Sequence, residues 1–246
     1  MKFVITKNII ENVISSMQPF LEKKDASSIT SHIYLETTNG KLILKATDYE
    51  IGLESHIDNI TESIDGKATT NGSNLLGIIK RLKNEEITFE VVTNNIIIKQ
   101  NKSTFKLPMY DANEYPTLRK ADNLKKLDIT TLNFINSVRR ITPAIDNNNP
   151  KFELNGALID IKNSRINFVS TDTRRLAISH LQNINNEESQ FIIPKKAIVE
   201  IQKLFLDEAD INYDDTNLVI SNEKMTFFTK LINGKYPDYE RIIPQS

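Results

Sequence analysis

Asp48, Glu50 and Asp172, with His56 and His180, are the residue types that a metal-dependent hydrolase or nuclease uses to hold a divalent ion and activate water. Their spacing points elsewhere. Thr47-Asp48 and Ser55-His56 recur, at the same separation, as Thr171-Asp172 and Ser179-His180. Asp48 and Asp172 are therefore equivalent positions in two copies of one unit, a domain's width apart, and do not converge on one ion. A Thr-Asp pair that opens a turn between strands is the simpler account, because such side chains bond backbone N–H groups two or three residues on. His32, the third histidine, sits in an alternating strand with no carboxylate partner nearby in sequence. The chain has no cysteine, which excludes disulfides, thiolate metal sites and a cysteine nucleophile, and its seven glycines form neither GxxxxGK nor GxGxxG.

The elements that must carry these turns repeat with them. Ile5-Thr6 falls on Ile129-Thr130 and Ile14 on Val138; after a two-residue slip, Leu75, Leu76, Ile79 and Leu82 fall on Ala197, Ile198, Ile201 and Leu204. Asn95-Ile96 then matches Asn217-Leu218, Thr104-Phe105 matches Thr226-Phe227, and Tyr115-Pro116 matches Tyr236-Pro237. Two copies of one domain follow, with the join near Ala121 to Lys125 and boundaries at 1–123 and 124–246. At 246 residues each copy can bury its own core, and 39% hydrophobic with 26% charged residues describes a globular chain. No apolar run is long enough to span a bilayer and no signal-peptide pattern opens the chain, so a cytoplasmic protein without a membrane partner is expected.

Each copy reads as β-α-β-β-β twice over. Lys2 to Thr6 predicts a strand, and Thr6 an N-cap for a helix whose Ile9, Ile10, Val13, Ile14 and Met17 share a face, ended by Pro19. Glu22 to Ser28 is a polar loop. His32 to Glu36 and Lys41 to Ala46 form a hairpin about Asn39-Gly40, and Ile51 to Ile57 adds a strand. An extended Gly66 to Thr70, a helix from about Ser73 to Leu82, and strands at Ile87 to Val92, Ile96 to Gln100 and Thr104 to Pro108 complete the unit, with Asn94-Asn95 as a turn. The fold class is α+β, two helices per unit on antiparallel sheets.

Net charge is −1, so the whole chain offers no general attraction for nucleic acid. The helices differ from the whole. Lys80, Arg81 and Lys83 belong to the second, Arg139 and Arg140 to the third (about Leu132 to Ile141), and Lys195, Lys196 and Lys203 to the fourth. Only Glu11 and Glu200 oppose them, while acids gather in strands and loops such as Asp207-Glu208, Asp210, Asp214-Asp215 and Asp238. Two readings stand: cations that favour helix C-termini, or a surface that tracks duplex phosphates without reading bases.

Ala46-Thr47-Asp48-Tyr49-Glu50-Ile51, Leu107-Pro108, Leu154-Asn155-Gly156-Ala157-Leu158, Thr171 to Ala177, Ile193-Pro194-Lys195-Lys196-Ala197 and Lys230 to Tyr239 resemble the bacterial DNA polymerase III β subunit, the sliding clamp, in order from Met1 to Pro244. The resemblance implies tandem clamp domains in a ring around duplex DNA, with helices lining the hole and sheets outside. It implies no catalytic residues, no metal and no cofactor, but a processivity factor that tethers the replicative polymerase. Partners would be double-stranded DNA, the polymerase subunit, the clamp loader and other proteins with a clamp-binding motif. Family members carry three domains and close head to tail. The sequence stops at Ser246, where a third would begin, so a two-domain piece that forms no ring by itself is expected.

The family's partner site, a pocket for a Gln-Leu-x-Leu-Phe-type motif, maps onto Leu154, Thr171, Thr173, Arg174, Arg175, Leu176, Pro237, Arg241 and Ile242. Leu154, Leu176, Pro237 and Ile242 would form an apolar floor, Arg175 a wall with a packed stem and a wet head, and Arg241 a polar rim. Thr173 and Arg174 stand where the family commonly has glycine and histidine. Lys24 and Asn148 match loop positions that contact duplex, as lysine for arginine and asparagine for glutamine. Without the resemblance, Leu154 and Leu176 read as plain core and Asp146 to Pro150 as a turn cluster. A peptide-binding adaptor on the same repeat, with cations serving only solubility, is the non-clamp alternative.

Overall fold

The computed structural model describes residues 1–118, 123–183 and 188–243. It divides into two compact units, Met1–Arg119 with Glu223–Phe227, and Lys120–Asn222 with Phe228–Ser246. Of the expected join, Ala121 and Asp122 lie outside the described residues, as does Pro244 at the end of the resemblance.

In the first unit, strand β1 (Lys2–Thr6) leads into helix α1 (Lys7–Met17), which buries Ile10, Ile14 and Met17. Thr6 occupies the N-cap in extended conformation, but its side chain makes no capping hydrogen bond, so the cap expected there is one of position only. Pro19 falls in the 3-10 turn Gln18–Phe20 that ends the helix. Strands β2 (His32–Thr38) and β3 (Lys41–Thr47) turn on Asn39 and Gly40, whose φ values of 49° and 76° are the left-handed pair that a two-residue hairpin demands. Strand β4 (Ile51–Ile57) pairs with β3, and β6 (Gly66–Asn71) with β2, in the order β4-β3-β2-β6.

A second sheet joins β5 (Thr61–Ile64), β1, β7 (Glu86–Val92), β8 (Asn95–Gln100) and β9 (Ser103–Pro108) in the order β5-β1-β7-β8-β9. Helix α2 (Gly72–Ile79) completes the unit. Three expectations need correction. Strand β5 was not expected; it docks on β1 from a polar segment whose side chains show no clean alternation. Val92 pairs with Asn95, so the hairpin turn is Thr93-Asn94 and not Asn94-Asn95. Helix α2 ends at Ile79, three residues early. Arg81 N–H and Leu82 N–H donate to Ile78 and Ile79 carbonyls in tight three-residue steps, and buried Gln100 then fastens the chain by bonding both Lys83 N–H and Lys83 C=O at 2.9 Å. Lys80, Arg81 and Lys83 therefore follow the helix and do not sit on it.

The second unit repeats the plan. Strand β10 (Lys125–Lys126) precedes helix α3 (Thr131–Ile141), where Thr130 is a working N-cap that accepts from Asn133 N–H at 3.3 Å. Helix α3 buries Phe134, Ile135, Val138 and Ile141; Phe134 meets Phe168 edge-on, with ring centres 5.8 Å apart. Strands β11 (Gly156–Lys162), β12 (Arg165–Thr171), β13 (Leu176–Gln182) and β14 (Ser189–Pro194) form the sheet β13-β12-β11-β14, the counterpart of β4-β3-β2-β6. Helix α4 (Lys195–Leu204) buries Ala197, Ile198 and Ile201. Strands β15 (Asp210–Tyr213), β16 (Asn217–Ser221) and β17 (Met225–Lys230) run beside β10 in the order β10-β15-β16-β17.

Candidate functional site

The turn between β12 and β13 is built by its own side chains. Thr171 Oγ1 accepts from Thr173 N–H at 3.1 Å and donates to Arg175 C=O at 2.7 Å, while Asp172 Oδ1 accepts from Arg174 and Arg175 N–H at 3.1 and 3.0 Å. Those bonds, Arg174 N–H first, hold the Asp172 carboxyl below its ordinary range. Asp48 Oδ1 does the same for Glu50 and Ile51 N–H, both at 3.0 Å. The two aspartates thus shape turns, as the simpler sequence reading expects, and neither gathers ligands: among the described residues no group of three His, Asp or Glu could hold a metal ion. His56 instead faces Glu54 at 2.9 Å, where it and Lys45 hold the Glu54 carboxyl down at about 2.

Turn geometry places Thr173 at φ +73°, a left-handed conformation that a β-branched residue adopts at a cost of about 1–2 kcal/mol. Beneath the turn, Leu154 joins Leu158, Val169, Ile192, Tyr236 and Tyr239 in one cluster, against which Leu176 and Ile232 pack half-buried. The structure brings Leu154 and Leu176 together as expected, but Leu154 is only 1% exposed and therefore belongs to the core beneath the floor. Gly156 sits where a Cβ would lie 2.6 Å from Ile193 O, so the chain's close approach requires glycine there.

The far side of the site comes from the chain after β17. Tyr236 O–H accepts from Thr171 N–H at 3.1 Å, and burial pushes that hydroxyl up to about 12. Tyr239 opens the 3-10 helix Tyr239–Ile242; its hydroxyl donates to Asp160 Oδ2 at 2.5 Å and accepts from Asn167 Nδ2 at 3.0 Å. Glu240 adds Lys162 at 2.6 Å and Arg165 at 3.4 Å. Pro237, Arg241 and Ile242 ride exposed on this anchored segment, with Ile242 at 61%, and Arg241 pairs with Asp238 at 2.8 Å. Sequence reasoning assigned no role to Tyr236, Tyr239 or Asp160. The repeated Tyr-Pro pair marked the first; nothing local marked the Tyr239–Asp160 bond, which spans 79 positions.

Arg175 is exposed, but its head is not merely wet: Nε donates to Asp172 Oδ2 at 2.9 Å and Nη2 to Pro143 C=O at 2.6 Å. That second bond reaches the loop carrying Asn148. The same loop is tied to the floor by Asp146 N–H to Leu154 C=O at 3.2 Å, and by a two-way exchange between Asn149 and Asn155 at 2.7 and 3.0 Å. Asn148 itself is exposed.

The cations expected to meet duplex fall into two groups. Lys24, Lys80, Arg81, Lys83, Arg139 and Arg140 are exposed, and no ion pair forms to them among the described residues. Arg139 and Arg140 also sit in the last turn of α3, where the helix dipole favours them. By contrast Lys195 Nζ donates to Ile145 C=O at 2.8 Å and Asn147 Oδ1 at 2.7 Å, and Lys203 pairs with Glu200 at 2.8 Å. Lys196 is exposed at the start of α4.

Comparison with known proteins gives consistent matches. Residues 1–119 match the family model for the DNA polymerase III beta subunit N-terminal domain, and residues 128–238 that for its central domain. A beta sliding clamp of Helicobacter pylori is 42% identical over 251 residues, covering 100% of this chain and 67% of the relative. A beta sliding clamp of Pseudomonas putida is 26% identical, covering 100% and 68%. A crystal structure of the H. pylori beta clamp bound to a DNA ligase peptide superposes with a TM-score of 0.95 at 42% identity, covering 100% of this chain and 70% of that one.

Proposed function

We infer the function from family: the chain belongs to the DNA polymerase III β subunit family, the sliding clamps. It is a sliding-clamp subunit, a processivity factor that encircles duplex DNA and tethers the replicative polymerase, and it catalyses nothing itself. Residues 1–123 and 124–246 are, on this reading, clamp domains 1 and 2, and a cytoplasmic location follows from the role. No helix among the described residues is long and apolar enough to cross a membrane.

The peptide site is assigned to domain 2, on the surface formed by Thr171, Thr173, Arg174, Arg175, Leu176, Pro237, Arg241 and Ile242, with Leu154 beneath. One observation carries this: half-buried Leu176 and exposed Ile242 leave apolar surface beside a turn and a helix that are both hydrogen-bonded in place. A pre-organised apolar surface binds a short motif without a large ordering cost. Support comes also from the H. pylori clamp, whose structure holds a DNA ligase peptide. The exposed cations Lys24, Lys80, Arg81, Lys83, Arg139, Arg140 and Lys196, with Asn148, are assigned to duplex phosphate. Lys195 and Lys203, whose ammonium groups are already bonded, contribute less than Lys24, Lys80, Arg81, Lys83, Arg139 and Arg140, which form no ion pair among the described residues.

Anisotropy of a fluorescent Gln-Leu-x-Leu-Phe-type peptide tests the site. Saturable binding is expected to be lost in the double variant Leu176→Asp, Arg241→Glu. Equal binding by the folded variant, or none by the folded parent, sinks the assignment.

A further inference from the structure

Beside the Thr171–Leu176 turn lies a polar cavity of about 380 Å³, walled by Arg174, Arg175 and Lys195 and by the loop from Pro143 to Asn149. Its charges are mostly spent. Asp172 gives Oδ1 to two backbone N–H groups and Oδ2 to Arg175 Nε. Asp146 accepts from Asn149 Nδ2 on Oδ2 and from Asn147 N–H on Oδ1, which in that order hold its carboxyl low. Arg175 completes its set at Pro143 C=O, and Lys195 Nζ is bound to Ile145 C=O and Asn147 Oδ1. The remaining charge is Arg174. Its backbone N–H donates to Asp172 Oδ1, yet among the described residues no group accepts from its guanidinium.

The cavity abuts the apolar floor, since Asp146 N–H reaches Leu154 C=O and Arg174 is two residues from Leu176. We propose that this cavity is an acid-recognition subsite, in which the Arg174 guanidinium selects partner peptides carrying an Asp or Glu side chain that flanks the hydrophobic anchor residues. The inference rests on the peptide site assigned above and names the partner chemistry that site prefers. A guanidinium offers a planar fork of donors that fits one carboxylate with two parallel bonds. Three cationic side chains, Arg174, Arg175 and Lys195, face two carboxylates, Asp146 and Asp172, so the lining carries an excess of one positive charge, which one ligand carboxylate balances. The strained Thr173 supports the assignment, because the left-handed step immediately before Arg174 fixes the direction in which the chain leaves the Asp172 cap.

The test uses the full chain and a set of peptides that share the hydrophobic motif and differ by a Glu or a Gln walked through the flanking positions. Affinities are read by anisotropy against wild type, Arg174→Gln and Arg174→Glu. At one or more flanking positions the Glu peptide is expected to bind wild type about two- to five-fold tighter than its Gln twin, an advantage that shrinks as salt rises. The advantage disappears in Arg174→Gln and inverts in Arg174→Glu. No preference for Glu at any flank, or a preference that survives Arg174→Gln, overturns the proposal while leaving the peptide site intact. Loss of duplex affinity in Arg174→Gln with unchanged peptide preference also overturns it, by assigning the guanidinium to phosphate. If the Gln peptides bind wild type and Leu176→Asp equally, the peptide site itself is wrong and the subsite falls with it.

Discussion

The Thr-Asp turns of the two domains share a backbone and differ in what surrounds it. Thr47 Oγ1 accepts from Tyr49 N–H at 3.0 Å and donates to Ile51 C=O at 2.9 Å, as Thr171 does for Thr173 and Arg175. Asp48 and Asp172 cap the same two N–H groups. Tyr49 and Thr173 are left-handed at φ 72° and 73°. A tyrosine hydroxyl serves each sheet, but differently: Tyr115 faces the His32 and Lys45 carbonyls at 3.1 and 3.2 Å, whereas Tyr236 accepts from Thr171 N–H at 3.1 Å. The residue that ends the turn then parts them: Ile51 is 2% exposed, whereas its counterpart Arg175 is exposed, and half-buried Leu176 stands where the first domain has Gly52. Where the second domain has Gly156, the first has His32, buried and stacked on Tyr110 with ring centres 4.2 Å apart. Duplication supplied one turn twice, and side chains around it closed one copy while leaving apolar surface at the other.

The sharpest way to break that contrast is to place a carboxylate at the closed Ile51 and at the half-buried Leu176. Ile51→Asp buries a carboxylate with no partner and loses a core side chain, an expected cost of about 3–5 kcal/mol. Leu176→Asp leaves its carboxylate near solvent and costs about 1 kcal/mol while abolishing peptide binding. Urea midpoints of the two variants, measured together, check this; equal losses would mean that the second site is as closed as the first.

Acid sharpens the same contrast. Burial holds the His32 imidazole down at about 4, below the ordinary 6.5, so it is neutral in the folded chain. Between those values the unfolded state binds more protons, and stability therefore falls as pH drops from 6.5 towards 4 and is fully present above 6.5. From the shift, the first domain should lose on the order of 2 kcal/mol by pH 5 through this group. Gly156 offers no counterpart. His32→Phe keeps the stack on Tyr110 and should flatten the slope of melting temperature against pH between 7 and 5; an unchanged slope would assign the acid sensitivity elsewhere.

The smallest effect concerns backbone strain. Thr173→Gly relieves about 1–2 kcal/mol of left-handed cost and gives back up to about 1 kcal/mol as unfolded-state entropy, so a net gain of roughly 0.5–1 kcal/mol is expected. Tyr49→Gly should gain less, because tyrosine lacks β-branching and its ring covers apolar surface. Calorimetric melting of the two variants ranks them. A larger gain at Tyr49 would show that the two turns, despite equal φ, are not equally strained.

The parts legible in the sequence were those whose bonds close within a few residues. Asn39-Gly40 announced its hairpin because few residues tolerate two left-handed positions, and Thr171-Asp172 announced its turn because the acceptors and the N–H groups they bind are two or three positions apart. The repeat extended both statements to the second copy, and periodicity set the buried faces of α1 and α4. The end of α2 escaped, since it depends on Gln100 arriving from β8.

By itself, then, the sequence determined the duplicated α+β plan, the two Thr-Asp turns and the family. Only the tertiary structure decided which side chains remain available. It sealed Leu154, spent Arg175 on Pro143 and Lys195 on Ile145, pinned Tyr239 to Asp160 and left Arg174 unmatched. The physical reason is reach: a turn's hydrogen bonds are encoded by neighbours in the chain, whereas the partner of a long cation or a buried hydroxyl is chosen by whichever distant strand or loop packing brings within 3 Å.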